Sequence, residues 1–202
     1  MTFKVKDFYF NKAKKENFLA RSIYKLEEID ERYKILSPND RVIDMGYHPG
    51  SWVQYTSNKI GKNGLVVGID IKPVNRKLMH LPNVRLLELD VFNVSGPEEV
   101  GESGFFDVAL SDMAPNTTGV RSLDQDRSLN LIEQVFGILP KLLRPKGHMV
   151  LKAFEGHELQ VFLKAQKSLF SEFHYLRPKS TRSVSKEFFI IGKEFKGAGK
   201  ES

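Results

Sequence analysis

Apolar positions recur along this chain with two alternating periods. From Asn17 to Arg32, Phe18, Ile23, Leu26 and Ile29 form a stripe at helical spacing, and Lys25 falls off it. Ser37-Pro38-Asn39-Asp40 reads as a turn, and Arg41 to Met45 as a short buried strand closed by Gly46. Ser51 is placed to cap the helix that follows. Gly64 to Asp70 is a second strand, broken by Lys72-Pro73; Val84 to Leu89 and Phe105 to Leu110 are a third and a fourth. Leu123 to Leu143 has the broad apolar face of a long helix, carried by Leu129, Ile132, Val135, Phe136, Leu139 and Leu142, and Arg144-Pro145-Lys146-Gly147 stops it. His148 to Ala153 is a fifth strand and Glu158 to Leu169 another helix. Phe173 to Leu176 and Lys186 to Ile191 are the last strand candidates.

Strands alternating with helices predict an α/β fold, a sheet covered on both faces. Ligands of such sheets bind beyond the carboxyl ends of the strands. Asp44 with Gly46, Asp70, Asp90, Asp112 and Lys152 all fall at or just after predicted strand ends. The pattern therefore lines one sheet edge with polar groups. No repeat and no linker interrupts it, which predicts one domain over residues 17–195, a basic segment at 1–16 and a frayed tail at 196–202.

Composition narrows the chemistry. The chain has no cysteine, so disulfides, thiolate metal sites and cysteine nucleophiles are excluded. Its five histidines show no metal-ligand spacing, and no metal is expected. The N-terminus lacks the apolar stretch of a secretory signal, and no apolar run is long enough to span a bilayer. A cytoplasmic protein is expected, with no membrane partner and as a monomer.

The net charge of +6 is unevenly placed. Residues 1–25 hold seven basic side chains, among them Lys12, Lys14, Lys15, Arg21 and Lys25, against two acidic ones, with six aromatic rings interleaved. A second basic stretch, Arg177, Lys179, Arg182 and Lys186, ends beside Glu187. Cations that neutralise phosphates, next to rings that stack on bases, point to a single-stranded or looped nucleic acid. A solvated surface would show the same charge runs.

The loop after the first strand, Gly46-Tyr47-His48-Pro49-Gly50, lacks the spacing of a dinucleotide fingerprint. Carboxylates at Asp44, Asp90 and Asp112 would repel a pyrophosphate. They suit a ligand carrying an ammonium, a sulfonium and a ribose, as S-adenosylmethionine does. Asp70 lies twenty residues beyond Gly50, where an acidic residue binds ribose hydroxyls in dinucleotide folds. A nicotinamide dehydrogenase is disfavoured on both counts. Trp52 fits either a cofactor contact or plain core, and Asp90 fits a turn former as well as a ligand.

Four ionisable residues sit in distinctive strings: Lys25 in ARSIYKL, Asp112 in LSDMAPN, Lys152 in MVLKAF and Glu187 in SVSKEFF. With VIDMGYHPGSW and GIDIKP, these strings resemble the FtsJ-like (RrmJ-type) ribose 2′-O-methyltransferases from about Lys6 to Phe195. The resemblance implies a single-domain Rossmann-like methyltransferase fold, a seven-stranded, mostly parallel sheet with its last strand antiparallel. It implies that Lys25, Asp112, Lys152 and Glu187 form a catalytic tetrad. It places Gly50, Trp52, Asp70, Asp90 and Asp112 at cofactor contacts and lets Gly46 and Pro49 shape the loop. The family usually carries small residues where Tyr47-His48 stands here, and both side chains are expected to turn away from the loop.

The implied reaction is methylation of an RNA ribose with S-adenosylmethionine as donor. A lysine serves as base only when neutral, a form that burial and a second nearby cation favour. Lys152 is the candidate base, held by Asp112. Lys25 is the cationic neighbour that holds the hydroxyl, with Glu187 positioning it. A chain without appended RNA-binding modules resembles the members acting on a uridine of large-subunit (23S) ribosomal RNA, free or in an assembled subunit. Relatives acting on the tRNA anticodon loop are the alternative. A non-catalytic RNA-binding assembly factor is the reading from another class, and the intact tetrad speaks against it.

Overall fold

The structure, a computed structural model, describes residues 3–114, 121–182 and 185–197. Pro115 and Asn116 of the LSDMAPN string, Ser183 and Val184 of the SVSKEFF string and the expected tail beyond Gly197 lie outside them, as do the side chains of Lys4 and Lys6. The elements run α1 (Phe3–Lys15), α2 (Ile23–Tyr33), β1 (Arg41–Met45), α3 (Ser51–Ile60), β2 (Leu65–Asp70), β3 (Val84–Glu88), β4 (Phe106–Ser111), α4 (Arg121–Leu142), β5 (Leu143–Phe154), α5 (His157–Gln166), β6 (Phe170–Leu176) and β7 (Glu187–Phe195).

The strands form one seven-stranded sheet in the order β3-β2-β1-β4-β5-β7-β6. β1 to β5 are parallel, and β7 runs antiparallel to both β5 and β6. The order reverses at β1, which pairs β2 on one side and β4 on the other. The crevice predicted for such a sheet opens there.

Strand periodicity divides the interior in two. Ile43, Val67, Ala109, Met149 and Leu151 pack with α4 and α5, through Ile132, Val135, Leu139, Leu159 and Leu163. Their neighbours Val42, Val66, Val108, Leu110 and Val150 pack with α2 and α3, through Leu26, Ile29, Trp52, Val53 and Ile60. Successive side chains of a strand face opposite ways. Lys152, two residues after Val150, and Glu187, two before the buried Phe189, therefore point to the α2 face.

Three local expectations are corrected. The stripe from Phe18 onward is not one helix: Asn17 has φ 60°, Phe18 N–H donates to the Ala13 carbonyl, and α2 begins only at Ile23. The preceding basic segment is itself the helix α1, anchored by Ala13 and Tyr9 against Ile23 and Tyr24. Ser51 does not cap α3. Gly50 does, at φ 110°, and Ser51 Oγ instead meets Ser22 Oγ at 2.9 Å. Arg144-Pro145-Lys146-Gly147 ends α4 but belongs to β5, as an irregularity in its pairing with β4 where Lys146 takes φ 67°.

Candidate functional site

The carboxyl ends of β1 to β4 enclose a cavity of about 610 Å³, the size of a small-molecule site. Gly46 and His48 line it after β1, Asp70 and Ile71 after β2, Asp90 and Phe92 after β3, and Asp112 and Met113 after β4. Three carboxylates thus face it, together with Lys72 and Arg127 from its rim. Each strand end delivers its polar residue because the hydrogen-bonded ladder stops there and the chain turns.

Asp70 is held by the main chain: Oδ2 accepts from His48 N–H at 3.0 Å and Oδ1 from Lys72 N–H at 2.9 Å. Each oxygen keeps a lone pair for a ligand hydroxyl. Asp90 accepts from Phe92 N–H at 3.1 Å and so caps a short turn while facing the cavity, combining the two roles open to it in the sequence.

Asp44 is placed differently from expectation. It is 0 % exposed and lies behind the cavity wall. Neither carboxylate oxygen has a protein partner. Burial, then the charges of Asp112 and Asp70, push its carboxyl well above the usual range.

The glycines serve the chain itself. A Cβ on Gly46, at φ 76°, would stand 2.1 Å from Met113 Cγ, and one on Gly50 would stand 2.2 Å from Leu78 Cδ1. Pro49, Gly50 and Trp52 do not line the cavity. Trp52 is core: its ring lies 5.7 Å from Phe189, and its indole N–H donates to the Ser22 carbonyl at 2.9 Å. Tyr47 and His48 part company. Tyr47 turns into the α2–α3 core and accepts from Asn75 N–H through its hydroxyl, whereas His48 stays on the cavity wall.

The four ionisable residues come together as two ion pairs. Lys25 Nζ stands 2.5 Å from Glu187 Oε1, and Lys152 Nζ stands 3.0 Å from Asp112 Oδ1. Lys152 Nζ also donates to the Asp112 main-chain carbonyl, while the Oδ1 contact is not directed as a hydrogen bond. The pairing of Ser111 with Leu151 across β4 and β5 sets Lys152 beside Asp112. Lys25 is only 8 % exposed although it falls off the apolar stripe. Because α2 starts at Ile23, Lys25 lies in its first turn, over the Phe189 ring at 5.7 Å. Of these four residues, Asp112 is the one that also lines the cavity.

The two basic stretches also meet. Arg21 Nη2 donates to the Ser180 carbonyl at 2.5 Å, and Lys179 N–H donates to Glu28 Oε2 at 2.8 Å. Lys14, Lys15, Lys179 and Arg182 are exposed. Lys12 is partly covered, 4.3 Å from the Tyr24 ring and 4.0 Å from Glu16. Arg177 donates to the Arg182 carbonyl at 3.4 Å and to the Ser185 carbonyl. The sequence reading missed His48, Ile71, Phe92 and Met113 on the cavity wall. Their adjacency to Asp70, Asp90 and Asp112 was the available signal.

Comparison with known proteins agrees with this arrangement. The FtsJ-like methyltransferase family matches residues 18–195. A ribosomal RNA large subunit methyltransferase E of Syntrophobacter fumaroxidans is 45% identical over 193 residues, 95% of this chain and 97% of that protein. Its namesake in Bdellovibrio bacteriovorus is 41% identical over 195 residues, 95% and 98% of the two chains. Among solved structures, a ribosomal RNA methyltransferase of Plasmodium falciparum superposes with a TM-score of 0.74 at 26% identity, over 90% of this chain and 100% of that one. Fibrillarin of Aeropyrum pernix, solved with natively bound S-adenosyl-L-methionine, shares the fold at a TM-score of 0.57 and 16% identity, over 78% and 68% of the chains. No helix among the described residues is long and apolar enough to cross a membrane. The chain belongs to the FtsJ-like methyltransferase family.

Proposed function

We propose that this protein methylates a ribose 2′-hydroxyl of RNA with S-adenosylmethionine, at a uridine of large-subunit ribosomal RNA. The observation that carries the proposal is Asp112, which faces the cavity and also holds Lys152. The names of the relatives support ribosomal RNA as the substrate.

The cavity fits the donor. Asp70 and Asp90 offer acceptors to ribose and adenine, and the cluster of carboxylates suits a net cation. Bound there, the cofactor would supply an activated sulfonium methyl group. This chain's residues then have two tasks, alignment and proton removal. As a neutral amine, Lys152 keeps two N–H donors for Asp112 and a lone pair for the hydroxyl proton. Lys152 Nζ would take up the proton that the ribose hydroxyl gives up on methylation. Lys25, fixed by Glu187, donates to the same ribose oxygen and keeps it in line. The exposed cations Lys14, Lys15, Arg177, Lys179 and Arg182, with the partly covered Lys12 and Arg21, hold the phosphate backbone.

Incubation with methyl-labelled S-adenosylmethionine and total RNA from cells lacking the protein, followed by mapping of the label, tests this. A 2′-O-methyluridine in large-subunit RNA is the expected product. Label in tRNA alone would move the substrate to the anticodon loop, and label in no RNA would overturn the proposal.

A further inference from the structure

Arg21 and the turn at 178–181 hold polar groups that the fold itself leaves unpaired. Thr181 N–H donates to the Pro178 carbonyl at 2.9 Å and closes the turn, which presents the Ser180 carbonyl to Arg21 Nη2. The other guanidinium nitrogen, Arg21 Nη1, is buried without a partner among the described residues. So are Ser180 Oγ and Thr181 Oγ1, on residues only 1 % and 7 % exposed. The one contact between Arg21 and Ser180 gathers these groups in one place. Buried polar groups without partners are rare, because each costs free energy on folding.

Charge is unbalanced at the same place. Burial and then repulsion from Arg182 lower the Arg21 pKa, and attraction to Glu187 offsets them only in part. Glu187 is already paired with Lys25. What is missing is an anion with several acceptor atoms.

We propose that Arg21, Ser180, Thr181 and Arg182 form the site of one RNA backbone phosphate, beside the ribose that is methylated. This rests on the RNA methyltransferase reading above and says which groups fix the substrate's register. All four side chains offer N–H or O–H donors, and a phosphodiester offers acceptors with a negative charge. A base edge, with donors of its own, matches this set less well. The contact between Arg21 and the Ser180 carbonyl gives the guanidinium one neutral acceptor. Entry of a phosphate exchanges that neutral acceptor for a charged one, which makes the stronger hydrogen bond. Glu28 holds the Lys179 end of the turn throughout. Because Glu187 acts electrostatically on Arg21 and pairs with Lys25, a phosphate here lies one short step from the tetrad.

The test uses the full chain, large-subunit ribosomal RNA and two variants. Ser180→Ala combined with Thr181→Val removes the hydroxyls and keeps their volume. It should melt at the same or a higher temperature, bind S-adenosylmethionine normally and bind the RNA at least threefold more weakly. Arg21→Gln should flatten the dependence of log affinity on log salt by about 0.7–0.9, one phosphate contact. A lower melting temperature with unchanged RNA affinity in the double variant would show that the hydroxyls only pack. An unchanged salt slope in Arg21→Gln would equally overturn the phosphate site. In both cases the methyltransferase reading stands as long as the unaltered protein labels RNA; if it labels none, that reading is what fails.

Discussion

Lys25, in the first turn of α2, and Glu187, the first residue of β7, meet at 2.5 Å with side chains only 11% and 13% exposed. Charges taken from water are stable there only as a pair. Glu187→Ala leaves the Lys25 ammonium unpaired and should lower the unfolding free energy by about 3–5 kcal/mol in denaturant titrations. Lys25→Met with Glu187→Leu should recover most of that stability without recovering methyl transfer. If Glu187→Ala unfolds like the unaltered protein, water has replaced the carboxylate. Among single alanine variants of the four, Glu187→Ala should reduce turnover per folded molecule least, since its proposed role is positional.

Lys152 separates proton removal from charge. Lys152→Ala should abolish methyl transfer while folding and cofactor binding survive. Lys152→Arg keeps the charge but cannot release a proton at any working pH, so it should not restore turnover. Substantial turnover in Lys152→Arg would reduce Lys152 to a steering group. Alignment would then supply most of the acceleration.

Calorimetry should show S-adenosylmethionine binding and no NAD binding. Asp70→Ala removes an acceptor already oriented by two main-chain donors and should weaken cofactor binding by about 1–3 kcal/mol. The reverse preference, NAD without S-adenosylmethionine, would remove the cofactor assignment.

Asp44 makes stability fall with pH. Its folded-state carboxyl keeps its proton well above the usual range, whereas an unfolded aspartate releases it near a pKa of about 3.9. Between those two values the native state holds the extra proton. The stability from this group is complete below the unfolded value and is lost as pH rises, by up to about 1.4 kcal/mol per pH unit. Asp44→Asn should be more stable than the unaltered protein at neutral pH, by a margin that widens from pH 5 to pH 7. A constant difference across that range would show that Asp44 is ionised and paired.

The basic face of α1 offers a further measurement. Lys14→Ala with Lys15→Ala removes exposed cations and should flatten the salt dependence of RNA binding by about 0.7–0.9 per lost phosphate contact, with cofactor binding unchanged. Lys12→Ala should contribute less, because Tyr24 and Glu16 already occupy its ammonium. An unchanged slope in the double variant would mark α1 as ordinary solvated surface.

Strands were the most legible part of the sequence, since a buried parallel strand is a short apolar run with a polar residue where its ladder ends. That rule placed Asp70, Asp90 and Asp112 at the cavity and Lys152 beside Asp112. It failed at Asp44, which pairs with Gly68 and Leu110, two residues short of Asp70 and Asp112, and so stays buried behind the wall. Helix spacing was silent on the depth of Lys25: it falls off the stripe, and β7 arrives from the far end of the chain to cover it. Trp52 shows the same limit, because its depth is decided by Phe189 and the Ser22 carbonyl, distant in sequence. The orphaned hydroxyls of Ser180 and Thr181 have no sequence signature, because being unpaired is a property of the surroundings.

β7 has one more consequence. As the antiparallel strand it presents its first residue, not its last, at the edge where β1 to β4 present their ends. The same nine residues separate β5 from β6 and carry the partner of Lys25. A chain cut short before Glu187 therefore lacks both the sheet's inner strand and one corner of the tetrad. During synthesis the cavity residues emerge early, but the pairing of Lys25 waits until the final strand lies between its neighbours, so a stalled or truncated product should show no methyl transfer.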